Sequence, residues 1–335
     1  MTRTRQVVIR TLPKGPLSKE NFELTEADLP APGPGEALVR VILMSIDAAN
    51  RAWMQGATYR EAVKAGDVMH TYAIAEVLES ADPALSPGDL VAAEAGWAEH
   101  AIIRARGAVN LPGLRPLSNL MSVYGIAGKT AYHGLVQVGA PKAGDTVVVS
   151  AAAGSVGMYV GQIAKALGCR AVGIAGGPEK CAWVVEELGF DACVDYRDSG
   201  FFKALKAACP DGVDVYFDNV GGAVLETALF LMNLKGRVVC CGAVSQYDEG
   251  APSGPRNLPG LVVVKRLRME GFIVMDFADK DAEAEAALSG WVASGAVRVV
   301  EDVVEGLENA PAALIGLLAG ENRGKRMVRV APDPA

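Results

Sequence analysis

Residues Thr146–Gly157, TVVVSAAAGSVG, decide how this chain folds. Thr146–Ser150 is β-branched and apolar, the make-up of a strand buried on both faces of a parallel sheet. Small residues follow at once. Met158–Gly168 (MYVGQIAKALG) then places apolar side chains at helical spacing and closes on glycine. Strand, tight turn and helix give Ala152-x-Gly154-x-x-Gly157 its meaning as an A-x-G-x-x-G dinucleotide turn. Gly154 lets the backbone approach a pyrophosphate, Ser155 and Val156 complete the turn, and Gly157 lets the helix lie close on the strand. The anion would sit at the positive N-terminus of that helix.

The same alternation continues downstream. Cys169–Gly177, Ala192–Tyr196, Val213–Gly222, Gly236–Tyr247 and Leu267–Val274 read as further strands, with helices over Glu179–Gly189 and Phe201–Cys209. Six β-units of this kind predict a doubly wound parallel sheet. Upstream, Asn119–Gly139 predicts two short helices broken near Gly128. Before that the chain is mostly β. Val7–Leu12, Ala37–Asp47, Tyr72–Ser80, Leu90–Ala93 and Trp97–Ile103 are short strands divided by Pro/Gly turns, which suggests a partly closed barrel-like sheet. From Val297 the pattern returns to strand, helix (Pro311–Leu318) and strand, as if to finish the first domain. The expected division is 1–122 with 298–335, and 123–297.

Composition bounds the function. The chain has 335 residues, enough for two cores, with 50% hydrophobic and 21% charged residues. Its 32 basic and 39 acidic residues leave a net charge of −7, which argues against nucleic acid or an anionic membrane as the main partner. The start, MTRTRQVVIR, leads into a strand and does not read as a signal peptide. Six cysteines lie without ligand-like spacing, and His70, His100 and His133 are scattered, so reduced thiols in the cytoplasm are expected and a zinc site is not.

The tip of the second strand bears on the choice of dinucleotide. NAD enzymes usually place an acidic residue about twenty positions past the turn. Here the tip reads Gly176-Gly177-Pro178-Glu179-Lys180, with Lys180 twenty-three residues after Gly157. A cation there suits the 2′-phosphate of NADP(H), and a charged hydrogen bond of this kind is worth ~1.5–3 kcal/mol. Two alternatives stand beside that reading: Lys180 as a solvated first-turn lysine, and Glu179 as a partner of the ribose hydroxyls.

Residues 151–196, FDNVGG (217–222), CGAVSQY (241–247), RMEGF (268–272) and GLENAPAALIGLLAGENRGK (306–325) resemble the zinc-independent medium-chain reductases. Within that group they are similar to the NADPH-dependent 2-alkenal/prostaglandin reductases. The resemblance implies a GroES-like, mostly β catalytic domain beside a Rossmann domain, and a homodimer. It also implies cofactor contacts: Gly154, Ser155, Val156 and Gly157 on the pyrophosphate, and Lys180 with Tyr196 on the 2′-phosphate. Further contacts are Asn219, the loop of Cys241, Gly242, Ala243, Val244, Ser245, Gln246 and Tyr247, then Phe272, Ile273 and Val274, and Asn322. Taken alone, Tyr196 is equally a strand-end aromatic, Asn219 a turn residue and Asn322 a cap before Gly324.

The chemistry this implies is NADPH-dependent reduction of the C=C bond of an enal or enone. Hydride goes to the β-carbon, and negative charge collects on the carbonyl oxygen, which needs a hydrogen-bond donor. Tyr59 and Tyr247 are the candidate catalytic donors. Many family members carry a tyrosine just before the R-x-R-[ML] run; here that position is Val264, which would leave more room in the pocket. Asn50-Arg51 falls where the family has a D-P-x-x-R segment, with Arg51 either touching cofactor or bracing a loop. The Leu307–Gly320 stripe is expected to be interdomain core, and Gly250–Pro259 a loop that orders over substrate. A quinone oxidoreductase and a non-catalytic cofactor-binding protein are the alternative functions.

Overall fold

The computed structural model describes residues 1–111, 113, 116–247 and 254–334. Its strands in chain order are β1 (Thr2–Ile9), β2 (Phe22–Leu29), β3 (Glu36–Ser45), β4 (His70–Ser80), β5 (Leu90–Gly96), β6 (His100–Arg104), β7 (Val109–Asn110), β8 (Thr146–Ser150), β9 (Arg170–Ala175), β10 (Ala192–Asp195), β11 (Val213–Asp218), β12 (Met232–Cys240), β13 (Arg268–Gly271), β14 (Glu301–Glu305) and β15 (Lys325–Arg329). The chain divides into two compact units. One is Met1–Met121 with Glu301–Glu321 and Arg326–Ala335; the other is Ser122–Val300 with Asn322–Lys325.

The second unit is the doubly wound sheet. Its strand order is β10-β9-β8-β11-β12-β13, all parallel, so the order reverses between β8 and β11. Side-chain alternation explains why both faces are covered. Val147 and Val149 of β8, with Val215 and Phe217 of β11, join one core with the helices Ile126–Tyr132 and Gly157–Ala166. Val148, Val172, Ile174 and Tyr216 point the other way, into a core with the helices Phe201–Ala208 and Gly222–Leu231. Each fully buried valine or isoleucine contributes about 1.5–3 kcal/mol, which is why β-branched runs sit at the sheet centre.

The first unit is a sheet ordered β14-β15-β3-β4-β5-β7, with β6 also on β3 and a separate antiparallel pair β1-β2. β3 is nearly all buried, and the β3–β4 pairing shifts register twice, at Leu38/Val39 and Val41/Leu43. Such bulges bend a sheet. Leu307, Ala310, Ala313 and Leu314 of the late helix lie in this unit's own core with Val7, Val39 and Trp97. That corrects the expectation of an interdomain stripe. A second correction concerns Gly128. The interruption falls at Ser122–Gly125, and Gly128 lies inside the helix Ile126–Tyr132, where a Cβ would come 1.9 Å from the Val123 carbonyl oxygen. The glycine there permits close approach. The chain then winds into a π-helical segment, His133–Gly139.

Candidate active site

The turn expected to take the pyrophosphate wraps around one carbonyl. Ala151 has a left-handed φ of 52°, and its carbonyl oxygen accepts from Gly154 N at 2.9 Å. A Cβ on Gly154 would lie 3.1 Å from that oxygen, and one on Gly157 only 2.3 Å. Any side chain at 157 would therefore push the helix off the strand. Ser155 and Val156 are half-buried, and the helix begins at Gly157. Met158 N bonds back to Gly154 O at 3.1 Å and Tyr159 N to Val156 O at 3.0 Å, so the donors an anion could use here are those of the turn that precedes them. Gly324 N bonds to Ala153 O at 2.9 Å, and Gly154 pairs with Gly324 in a parallel bridge. The turn is thus pinned by a segment that arrives late in the chain.

At the tip of β9, Gly177 has a φ of 94° and starts the helix Pro178–Leu188. The Asp195 carboxylate accepts from Gly177 N and from Arg197 N, each at 2.9 Å. Lys180 Nζ donates to the Asn322 carbonyl at 2.7 Å, so two predicted cofactor contacts meet here. Tyr196 is 44% exposed at the end of β10, and the Arg197 guanidinium stands 5.6 Å from its ring centroid. Arg197 is a cation the sequence reading passed over; its signal was its place just after Tyr196. Glu179 faces Arg323 at 3.7 Å. The Asn322 side chain is buried and donates to Gly324 O at 2.9 Å, which makes it a cap.

The floor between β8, β11 and β12 is organised by Asp218. Its Oδ1 accepts from Tyr216 Oη at 2.9 Å, Ser150 Oγ at 3.3 Å, Val220 N at 3.1 Å and Gly221 N at 2.9 Å. Burial raises its carboxyl above the ordinary value against the pull of these bonds. Its backbone oxygen accepts from Cys241 N and Gly242 N, at 2.8 and 3.1 Å. Asn219 bonds to Ser150 twice, N to Oγ at 2.9 Å and Nδ2 to O at 2.8 Å. Past Ala243, Val244 N bonds to Asn219 O and Ser245 N to Val220 O. The predicted loop 241–247, including the turn Val244–Gln246, therefore hangs on residues 218–220. Tyr247 closes it half-buried, and burial raises its phenol above the usual range. Cys240 and Cys241 are pushed up to about 11 and about 12 by burial, so neither is a ready thiolate.

Phe272 packs edge-on to Phe217, with ring centroids 6.2 Å apart, and its ring occupies space left by Gly134, where a Cβ would meet it at 2.4 Å. Ile273 and Val274 follow, half-buried. In the first unit, Tyr59 is 53% exposed and sits edge-on to Trp53 at 6.4 Å. Arg51 is buried and donates to Gly15 O at 3.1 Å, a loop brace. Val264 lies on the helix Leu258–Lys265 with its side chain 69% exposed. Of the Gly250–Pro259 loop, residues 250–253 lie outside the described residues.

A family profile described as "N-terminal domain of oxidoreductase" matches residues 5–111, and one described as "Zinc-binding dehydrogenase" matches 155–290. The residues present do not fit a zinc ion: among the described residues no three of His, Cys, Asp and Glu converge as ligands. The chain is 42% identical to the NADPH-dependent curcumin reductase of Escherichia coli, covering 99% of this chain and 98% of that one. It is 39% identical to the NADP-dependent 2-alkenal reductase of Nicotiana tabacum, over 98% of each. The crystal structure of Vibrio vulnificus CurA in complex with NADPH superposes with a TM-score of 0.93 at 39% identity, covering 98% of this chain and all of that one. The chain belongs to the zinc-independent medium-chain dehydrogenase/reductase family, in its 2-alkenal/prostaglandin reductase branch.

Proposed function

We propose that this chain is an NADPH-dependent reductase of the C=C bond in α,β-unsaturated aldehydes and ketones. The observation that carries the reading is the joined floor: phosphate turn, Asn219 and the 241–247 loop are hydrogen-bonded into one piece at the carboxyl ends of the strands. Ligands of doubly wound sheets bind where the strand order reverses, and this floor lies there. The relatives supply the acceptor, since a curcumin reductase, a 2-alkenal reductase and a pulegone reductase share an enone or enal.

The turn Gly154–Gly157 holds the pyrophosphate, Lys180 and Tyr196 the 2′-phosphate, and Asn219, Cys241–Tyr247, Phe272–Val274 and Asn322 the remainder. Bound there, NADPH supplies a hydride to the substrate β-carbon. Negative charge then develops on the carbonyl oxygen, and Tyr59 and Tyr247 are the donors assigned to it. Tyr247 stays protonated across neutral pH because burial raises its phenol. The expected division of labour gives cofactor to 123–297 and substrate to 1–122 with 298–335. A cytoplasmic homodimer completes the proposal. Its support is β13, which ends the sheet with every residue exposed and no further strand beside it among the described residues.

The test follows NADPH consumption with 2-alkenals, enones and quinones, using cofactor deuterated at nicotinamide C4. The expected product is the saturated carbonyl with deuterium on its β-carbon. An allylic alcohol, or turnover with quinones alone, would overturn the reading.

A further inference from the structure

Two consecutive residues, His133 and Gly134, carry both ends of the segment that follows β13. Phe272 puts its ring into the space left by Gly134. Further along, Phe277 lies flat against the His133 ring, with centroids 5.1 Å apart and planes 9° from parallel. The two phenylalanines also meet edge-on, at 6.2 Å. Between them the backbone closes on itself: Asp276 N bonds to Ile273 O at 2.9 Å, and Ile273 N to Asp276 Oδ2 at 3.3 Å. Residues 272–277 thus form a short arch standing on two aromatic feet, with Ile273 and Val274 between them.

The base of that arch is held from several sides. His133 is fully buried, its Nε2 lies 3.2 Å from Asp281 Oδ1, and Asp281 accepts from Lys129 Nζ at 2.8 Å. Lys280 Nζ donates to Gln137 Oε1 at 3.1 Å and Tyr132 Oη to Glu283 Oε1 at 2.7 Å, so the same helical stretch grips the chain beyond the arch. At the end of the π-helical segment, the carbonyls of Gly139 and Val138 accept from Arg237 of β12 and Arg268 of β13.

Its place along the sheet gives the arch its significance. The expected 2′-phosphate tip at β9 and β10 and the pyrophosphate turn after β8 lie on one side of the strand-order reversal. A dinucleotide extended across that reversal lays its nicotinamide over β11, β12 and β13, and the arch opens from the carboxyl end of β13. We propose that His133 is a positioning residue for hydride transfer, setting the height of Ile273 and Val274 against the nicotinamide ring through its stack with Phe277. Being buried, it acts only through that stack. The proposal rests on the cofactor placement and the reaction proposed above.

The full-length protein, loaded with NADPH, is mixed in stopped flow with trans-2-hexenal, so that one turnover reports hydride transfer apart from binding and release. His133→Leu and Phe277→Leu fill the site but lose the stacked face. Each should slow hydride transfer roughly tenfold to a hundredfold, the scale of a small misplacement of the reacting atoms, with NADPH affinity little changed. His133→Phe keeps the stack and should restore most of the rate. The double leucine variant should be no slower than the slower single one, because both substitutions remove the same contact. Unchanged rates in the leucine variants, a loss confined to NADPH affinity, losses that multiply in the double variant, or His133→Phe as slow as His133→Leu would each overturn the positioning role. Fluorescence of the bound cofactor separates this from the reaction itself. If the wild type leaves 2-alkenals and enones unreduced, the proposed reaction fails, and the nicotinamide emission of bound NADPH decides the positioning role. A change in the leucine variants at unchanged affinity supports it, and identical emission overturns it.

Discussion

Replacing Asp218 with alanine tests how the cofactor floor is held. The carboxylate is 3% exposed, and its Oδ1 is the acceptor for two backbone N–H groups, Val220 and Gly221, and for the hydroxyls of Tyr216 and Ser150. Hydroxyls can turn to another partner, but backbone amides cannot. Each buried amide left without an acceptor costs about 1–3 kcal/mol, or roughly 2–6 kcal/mol for the pair. Removing a buried carboxylate returns part of its desolvation cost, so the net loss is placed at about 2–4 kcal/mol. For a unit of this size that is a fall in Tm of roughly 4–16 °C. Asp218→Asn keeps an acceptor and should cost about half as much or less. Thermal unfolding followed by circular dichroism, with an NADPH titration of each variant, gives both readouts. NADPH binding should weaken as well, because Cys241 and Gly242 hang on the Asp218 backbone. Burial raises the folded carboxyl above its unfolded value, so the contribution of this ionisation to wild-type stability is full at low pH and is lost as pH rises through the raised value. That decline should be absent in Asp218→Asn. An alanine variant within about 0.5 kcal/mol of wild type, the scale of a neutral surface change, would refute the account.

Other expectations are more local. Lys180→Ala should weaken NADPH by roughly tenfold to a hundredfold and NADH little, one charged hydrogen bond being ~1.5–3 kcal/mol, as measured by paired titrations. Gly134→Ala puts a methyl 2.4 Å from the Phe272 ring and 2.6 Å from that of Phe217. It should cost about 1–3 kcal/mol by overpacking, and kcat should fall as residues 272–274 shift. Tyr59→Phe and Tyr247→Phe remove candidate oxyanion donors. The one that acts should lose about 10²–10³ in kcat with folding unchanged, and the other should lose little.

The fold was largely legible because its signals are local. A run of valines between small-residue turns makes a buried strand wherever it occurs, and β8 and β11 did so with the faces divided as alternation requires. Gly128 was misread because glycine has two uses, breaking a helix and letting it approach a backbone, and only the position of Val123 shows which applies. Ala151, Asp218 and Arg197 also escaped notice. Ala151 matters through a left-handed φ that its residue type does not announce, and Asp218 through distant partners, Ser150, Cys241 and Gly242, whereas Arg197 was legible from its place beside Tyr196. Asn219 and Asn322 each donate through the side-chain amide to a backbone carbonyl, of Ser150 and of Gly324, a structural role that stands beside the cofactor contact proposed for them.

The bridge between Gly154 and Gly324 bears on when the protein becomes functional during its own synthesis. A ribosome releases β8 and its helix long before residue 324 emerges, and domains usually fold as they appear. Here the nascent Rossmann sheet can collapse on its valines, yet its nucleotide turn lacks Gly324 N–H on the Ala153 carbonyl until nearly all of the chain has been made. The proposed cofactor site therefore matures late, and a chain truncated before Asn322, which also lacks β15 from between β14 and β3, should bind NADPH poorly even where its Rossmann sheet has collapsed.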